Sequence, residues 1–327
     1  MNLKKSTTEQ YERIFSDIID QKFLPSEVKK ILLEINENGF SAKVFLGAAT
    51  ALKKRMIKIS APQNAIDVCG TGGDKLGTLN ISTAVCFVIV AAGATVAKHG
   101  NKAISSNSGS ADIFAELKIK ISADALEIEK TLHEKKLCFL YAPFFHEGLK
   151  SVAEIRKEIA QEFNIPTIFN YLGPLLNPAN TSIQLIGTSK KETMLPMIEA
   201  LKTMGSKRIY LVHGFDGMDE ITLCDNSYLL SLNEEKITEE IIDPSKFGFT
   251  KTKLEALVGG NPQHNAQKLI SLLNGEKCAY RDIVVLNSAY ALKLAGLVSS
   301  VASGITMAKS AIDEGRALAT LNLTKEL

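Results

Sequence analysis

From Ala65 onward the chain changes its hydrophobic period, and that change limits its fold more than any other feature. Short apolar runs (AIDVC, ATVAKHGN, LCFLYA, IQLIGTSK and RIYLVHG) alternate with helical patterns such as ISTAVCFVIVAAG, ADALEIEKTLHEKK and TMLPMIEALKTMG. Strands alternating with helices are joined by crossovers, so they predict parallel βαβ units. Before Ala65 the pattern is helical only. Tyr11, Phe15, Ile18 and Ile19 recur at helical spacing, and Ser26 and Ser41 stand as start signals ahead of two more amphipathic runs. ISAPQN, at 59–64, is a Pro-bearing break between the two regimes. We expect an α/β protein. A small all-helical N-terminal domain at 1–62, joined by an inserted helical segment near 147–178, precedes a larger α/β domain at 65–146 and 179–327. The larger domain should carry a mostly parallel central sheet flanked by helices, and the tail from Ile283 reads as two long helices separated near SSVASG.

Bulk properties narrow function by exclusion. At 327 residues the chain exceeds what one core usually fills. Its 38 Lys and Arg nearly cancel 36 Asp and Glu, which argues against a nucleic-acid footprint or a polybasic membrane anchor. The cysteines Cys69, Cys86, Cys138, Cys224 and Cys278 are odd in number and scattered, with no CxxC pair. They read as buried thiols of a reducing compartment. No apolar h-region follows the first basic residues, and the apolar run from Ala84 to Ala97 is too short to span a bilayer. A cytoplasmic protein without membrane partners is expected.

One strand-to-helix junction stands apart. In DVCGTGGDKLGTLNIST, Asp67 to Thr83, four glycines and several hydroxyls follow a short apolar strand. Parallel sheets bind ligands at the carboxyl ends of their strands, which is where this stretch falls. No GxxxxGK[ST] string occurs. A dinucleotide fingerprint starting at Gly70 and Gly72 would need glycine at 75, which is Lys75, and the next strand ends in Lys98-His99 rather than an acid. What remains suits phosphate: Gly70, Gly72 and Gly73 can bare backbone N–H groups, and Asn80, Ser82 and Thr83 lie where the following helix offers its amides to an anion. KHGNKAISSNSGSAD, Lys98 to Asp112, is a second loop of this kind, with Ser110 at a helix start. Two such loops on neighbouring strands could hold two phosphate groups. Beyond a third strand, VHGFDGMDEIT presents Asp219 and Glu220, and Mg2+ is commonly held by one or two carboxylates while phosphate and water complete its shell.

The segments DVCGTGGD…TLNIST, KHGNKAISS..SGSAD, TIFNYLGPLLNP and VHGFDGMDEI resemble, in order and rough spacing, the signatures of the anthranilate phosphoribosyltransferase family of tryptophan biosynthesis. The likeness is strong from Asp67 to about Ile221, weaker to SGITMAKSAIDEGRA and faint in the first sixty residues. The resemblance implies transfer of a phosphoribosyl group from 5-phosphoribosyl 1-pyrophosphate (PRPP) to anthranilate. It implies a PRPP site of Gly70, Thr71, Gly72, Gly73, Asp74, Thr78, Asn80, Ile81, Ser82, Thr83, Lys98, Ser106, Asn107, Ser108, Gly109 and Ser110. It further implies Mg2+ on Ser82, Asp219 and Glu220, anthranilate at Gly70, His99, Asn101 and Arg156, and a homodimer through the N-terminal helices. Arg156 stands at the edge of an apolar stripe of Val152, Ile155, Ile159 and Phe163, which is compatible with reaching a cleft.

The chain departs from the family pattern at several positions. Glu147 follows His146 where proline is usual, and Pro166 stands for an arginine before TIFN. Lys102 replaces an arginine, losing a planar fork, and Lys75 and Leu79 replace Gly and Phe. The stretch between Arg156 and Thr167 is also longer than usual. Two other readings fit the same loops, a pyrimidine nucleoside phosphorylase-like enzyme and a non-enzymatic, nucleic-acid-binding relative of the same fold. No acid/base pair or nucleophilic triad is evident, so no catalytic proton-transfer residue is assigned.

Overall fold

The structure, a computed structural model, describes residues 3–103 and 107–325. Three helices lead: α1 (Thr8–Ile19), α2 (Pro25–Asn38) and α3 (Ala42–Lys53). Thr7 and Gln10 cap α1 reciprocally, and the Ser41 hydroxyl caps α3. Ser26 does not start α2. Pro25 takes its first position, where a missing N–H costs nothing, and Glu27 reaches back to the Leu24 N–H at 2.8 Å.

The alternating region follows as β1 (Ile66–Gly70), α4 (Ile81–Ala91), β2 (Val96–Gly100), α5 (Ser110–Glu116), α6 (Ala125–Lys135) and β3 (Leu137–Tyr141). A single turn, α7 (Ala142–Phe145), and a 3-10 stretch at Glu147–Val152 lead into α8 (Ala153–Phe163). Then come β4 (Ile183–Gly187), α9 (Met194–Thr203), β5 (Arg208–Gly214), β6 (Ser227–Asn233) and β7 (Lys236–Ile242). The chain closes with α10 (Pro262–Leu273), α11 (Ala279–Ala295), α12 (Val301–Asp313) and α13 (Arg316–Lys325). The tail thus holds three helices rather than two, because Gly315 at φ +74° ends α12 where the apolar pattern runs on.

Among the described residues, seven strands form one sheet in the order β3-β2-β1-β4-β5-β6-β7. The first five are parallel, and β6 and β7 add an antiparallel edge that the strand–helix alternation does not forecast. The outer strand, KITEEII, is mostly exposed, and its charges blunt the open edge. In β1, β4 and β5 strand residues alternate between two cores, while Ala97, Cys138 and Leu140 of β2 and β3 face a third, smaller one with Ile128 and Phe145. Val68, Leu185 and Val212 face the layer of α4 and α11–α13, while Cys69, Ile186 and Leu211 face Phe15, Leu52, Ile159 and Met197. The N-terminal helices and α8 therefore pack directly on the sheet and share its second core. Each fully buried Leu, Ile or Phe contributes roughly 1.5–3 kcal/mol there. Among the described residues, no helix is long and apolar enough to cross a membrane.

Four neighbouring parallel strands end in glycine: Gly100, Gly70, Gly187 and Gly214 in spatial order. This is a steric requirement. A Cβ at Gly70 would meet the Asp219 carboxylate, at Gly187 the Asp219 backbone, at Gly100 the Ser110 side chain and at Gly214 the Asp216 carboxylate. The bare strand ends let the loops above them fold down onto the sheet.

Candidate active site

The first loop leaves Gly70 with Gly72, Gly73, Lys75 and Gly77 all at positive φ. Left-handed backbone costs a non-glycine residue about 1–2 kcal/mol, so Lys75 is held there by its surroundings. Three hydrogen bonds to two neighbouring segments hold the loop. Thr71 N–H donates to the Gly187 carbonyl at 2.8 Å, Ser189 Oγ donates to Gly72 O at 3.1 Å, and Gly72 N–H donates to Asp219 Oδ2 at 2.8 Å. Asp74 Oδ1 accepts from the Leu76 N–H, and its buried Oδ2 has no hydrogen-bond partner.

Asn80 stands at the N-cap of α4, with Ile81, Ser82 and Thr83 in its first turn. Ser82 N–H donates to Glu220 Oε1 at 3.1 Å. One amide that the sequence offers to a phosphate is thus occupied by a carboxylate. Lys98, in the middle of β2 and only 2% exposed, lies beneath this turn and donates to Val68 O at 2.7 Å and Ser82 Oγ at 3.3 Å. From the second loop, Ser108 O accepts from Asn80 Nδ2 at 3.1 Å. Asp112 caps α5 by accepting from the N–H groups of Ala103 and Gly109, and Ser110 donates to Asn101 O at 3.3 Å. Asn107 and exposed Asn101 lie on this loop, and Thr78 on the first loop pairs with Val258. Ser106 lies outside the described residues.

Asp219 and Glu220 follow β5 on a turn whose Gly217 has φ +91°. Both are partly exposed, yet the atoms packed around them raise both pKa values. Burial is the main cause, and like charge adds to it: Asp74 acts on Asp219, and Asp219 acts on Glu220. Among the described residues no three His, Cys, Asp or Glu side chains stand at metal-ligating spacing. Two carboxylates with an unpaired Asp74 oxygen nearby nevertheless suit Mg2+, which leaves most of its octahedron to phosphate and water.

The acceptor side is built differently. His99, the last buried residue of β2, is anchored through its N–H to Asp67 Oδ1 at 3.1 Å. Asp67 is fully buried, and its other oxygen accepts from Asn177 Nδ2 at 2.8 Å. Burial raises its pKa, against the pull of Lys98. His99 Nδ1 meets the Gly173 carbonyl at 3.1 Å. Arg156 on α8 lies over the Phe169 ring, with its guanidinium carbon 5.8 Å from the centroid and a buried Nε that has no partner. Burial lowers its pKa. The geometry ties Gly70, the first loop, Ser82, Lys98, the second loop, Asp219 and Glu220 into one cluster. Arg156 stands on a separate wall that Phe169 and the chain to Gly173 link to His99.

Asp67, Asn177, Gly187, Ser189 and Asn265 also build the site; Asp67 and Asn177 fall inside the signature segments, which give them no role, and Asn265 has no motif around it. GTSK, which begins at the last residue of β4, is a readable signal for Gly187 and Ser189, since it forms another strand-end loop beside the first.

Residues 62–318 match the family model described as the glycosyl transferase family, a/b domain. The anthranilate phosphoribosyltransferase of Methylobacterium radiotolerans is 40% identical over 307 residues, covering 94% of this chain and 88% of its own length. That of Bacillus cereus is 40% identical over 321 residues, covering 98% and 93%. This chain belongs to the anthranilate phosphoribosyltransferase family. Among solved structures, the family member from Thermus thermophilus matches with a TM-score of 0.91 at 30% identity, covering 99% of this chain and 98% of that one. The Saccharomyces cerevisiae member, solved in complex with PRPP and Mg, matches with a TM-score of 0.86 at 27% identity over 97% and 92%.

Proposed function

We propose that this chain transfers the phosphoribosyl group of PRPP to the amine of anthranilate, giving N-(5-phosphoribosyl)anthranilate and pyrophosphate. The observation that carries the reading is the meeting of three strand-end loops: Gly72 with Asp219, Ser82 with Glu220, and Asn80 with Ser108. These contacts bring both Gly/Ser loops and the carboxylate pair to one place, where the other amides and hydroxyls of the loops suit a twice-phosphorylated sugar. The two phosphate loops would cradle PRPP through the residues named from the sequence. Ser82, Asp219 and Glu220 would hold Mg2+, which when bound neutralises charge developing on the departing pyrophosphate.

The C–O bond to pyrophosphate breaks while a C–N bond forms to the amine, which then sheds a proton. Sugar transfers of this kind pass through oxocarbenium-like transition states. An aromatic amine is already neutral near pH 7 and needs orientation more than activation. Holding the reactants in line can supply roughly 7–11 kcal/mol of the barrier. His99, Asn101 and Gly70 would line the acceptor pocket, and Arg156 would meet the anthranilate carboxylate.

The paired carboxylates favour a pyrophosphate-releasing reaction over phosphorolysis with free phosphate. We place the reaction in the cytoplasm, consistent with five unpaired cysteines. The helical segment at 1–62 and 147–178 would close on the α/β part at 65–146 and 179–327 when PRPP binds. Their shared core confines that motion to the rim, where Lys75 Nζ already lies 3.5 Å from Asn164 Oδ1. Unchanged small-angle scattering on adding Mg2+-PRPP would count against closure. A homodimer through the N-terminal helices is expected, and light scattering tests it.

The deciding experiment is a pyrophosphate-release assay with both substrates. Release should require anthranilate, stop on chelation and return with Mg2+. Chelator-insensitive turnover, or turnover of a nucleoside with phosphate, would overturn the reading.

A further inference from the structure

Asn80 stands between the two phosphate loops, and its amide is not free to choose an orientation. Its Nδ2 donates to the Ser108 carbonyl, while its Oδ1 accepts from Asn265 Nδ2 at 2.9 Å. Its backbone carbonyl accepts from the Tyr280 hydroxyl at 3.0 Å. Asn265 lies on α10 and is 2% exposed.

Which way round the Asn265 amide lies is settled by a group with one option. The Gly260 backbone N–H, which can only donate, reaches Asn265 Oδ1 at 2.7 Å. Oxygen on that side turns the Asn265 nitrogen toward Asn80. Asn80 must then offer its oxygen there and point its own nitrogen at Ser108. The strip that carries Gly260 is fastened to the first loop as well. Leu79 N–H donates to Leu257 O at 2.9 Å and Gly259 N–H to Gly77 O at 2.8 Å. A side chain at Gly259 would collide with the Asn265 amide, so the strip is shaped around it.

From this relay we propose that Asn265 is a positioning residue for PRPP. It sets the orientation of the Asn80 amide, and through it the spacing of the two phosphate loops. The inference rests on the proposed reading of those loops as the PRPP site.

Asn265→Asp tests it, because aspartate keeps the shape and the acceptor for Gly260 but loses the donor toward Asn80. Isothermal titration with Mg2+-PRPP should show affinity lowered about tenfold or more, with KM for PRPP rising in step and KM for anthranilate moving less than about twofold. In an Asn80→Ala background, where the relay is already cut, Asn265→Asp should cost less than about twofold further. Unchanged PRPP affinity in the single variant would overturn the proposal. So would a full tenfold loss repeated in the Asn80→Ala background, since Asn265 would then act on the fold at large. If the aspartate variant does not fold, Asn265→Gln replaces it in both backgrounds, because it shifts the amide along its chain, and the same two results would overturn the proposal. A wild-type protein that fails to bind Mg2+-PRPP would overturn the site reading itself, and this inference with it.

Discussion

The imidazoles of His99 and His146 meet Nε2 to Nε2 at 3.2 Å, edge to face with an interplanar angle of 72°. The Gly173 carbonyl can only accept, so neutral His99 carries its proton on Nδ1, and the single proton between the rings belongs to His146. A second proton in that gap would set two N–H groups against each other.

Burial, reinforced by His146, holds His99 down to about 3, and burial holds His146 down to about 4. Unfolded histidines protonate near pH 6.5, so below that pH the unfolded chain binds more protons than the native one. Stability contributed by the pair is therefore whole above pH 6.5 and lost as pH falls from there toward 3–4. Each ring should add roughly 1.4 kcal/mol per pH unit to the slope within that window. Denaturant melts between pH 7 and 4 should show this, and His99→Gln with His146→Gln should flatten the curve. An equally steep curve in the double variant would refute the assignment.

Asp219→Asn should separate chemistry from fold. An amide oxygen can still accept from the Gly72 N–H, and one of the crowded carboxyl groups is replaced by a neutral amide. Calorimetry should show a melting temperature unchanged or raised, while Mg2+-dependent pyrophosphate release falls about a hundredfold or more. A large melting loss would mean that the carboxylate chiefly holds the loop.

Arg156→Ala should raise KM for anthranilate by about 10–100-fold and leave KM for PRPP within about twofold. Its guanidinium is incompletely satisfied in the structure, so removing it should cost little beyond its packing on Phe169. Steady-state kinetics with each substrate varied in turn decides this. Equal losses for both substrates would place the arginine elsewhere.

Gly187→Ala should be far worse than its size suggests, because the new methyl group has no space against the Asp219 backbone. We expect a loss of about 2–4 kcal/mol in urea unfolding, together with sharply reduced turnover as Asp219 is pushed aside. Gly93→Ala is the control. Its φ of +103° carries strain, but nothing lies within 4 Å, so stability should drop while KM for PRPP holds.

The parallel α/β class, the helical opening, both Gly/Ser loops and the Asp219-Glu220 pair were all legible in the sequence. Each is a local signal, written as a hydrophobic period of 2 or 3.6 or as a turn that few residues tolerate. Tertiary structure alone decided that Asp219 reaches Gly72 across 147 positions and that Glu220 claims the Ser82 amide across 138. It also decided that Asn265 orients Asn80, that His146 faces His99, and that β6 and β7 complete the sheet. These contacts depend on which strands lie side by side. That order is set by burying both faces of the sheet at once, a sum over the whole chain that no single window of residues contains.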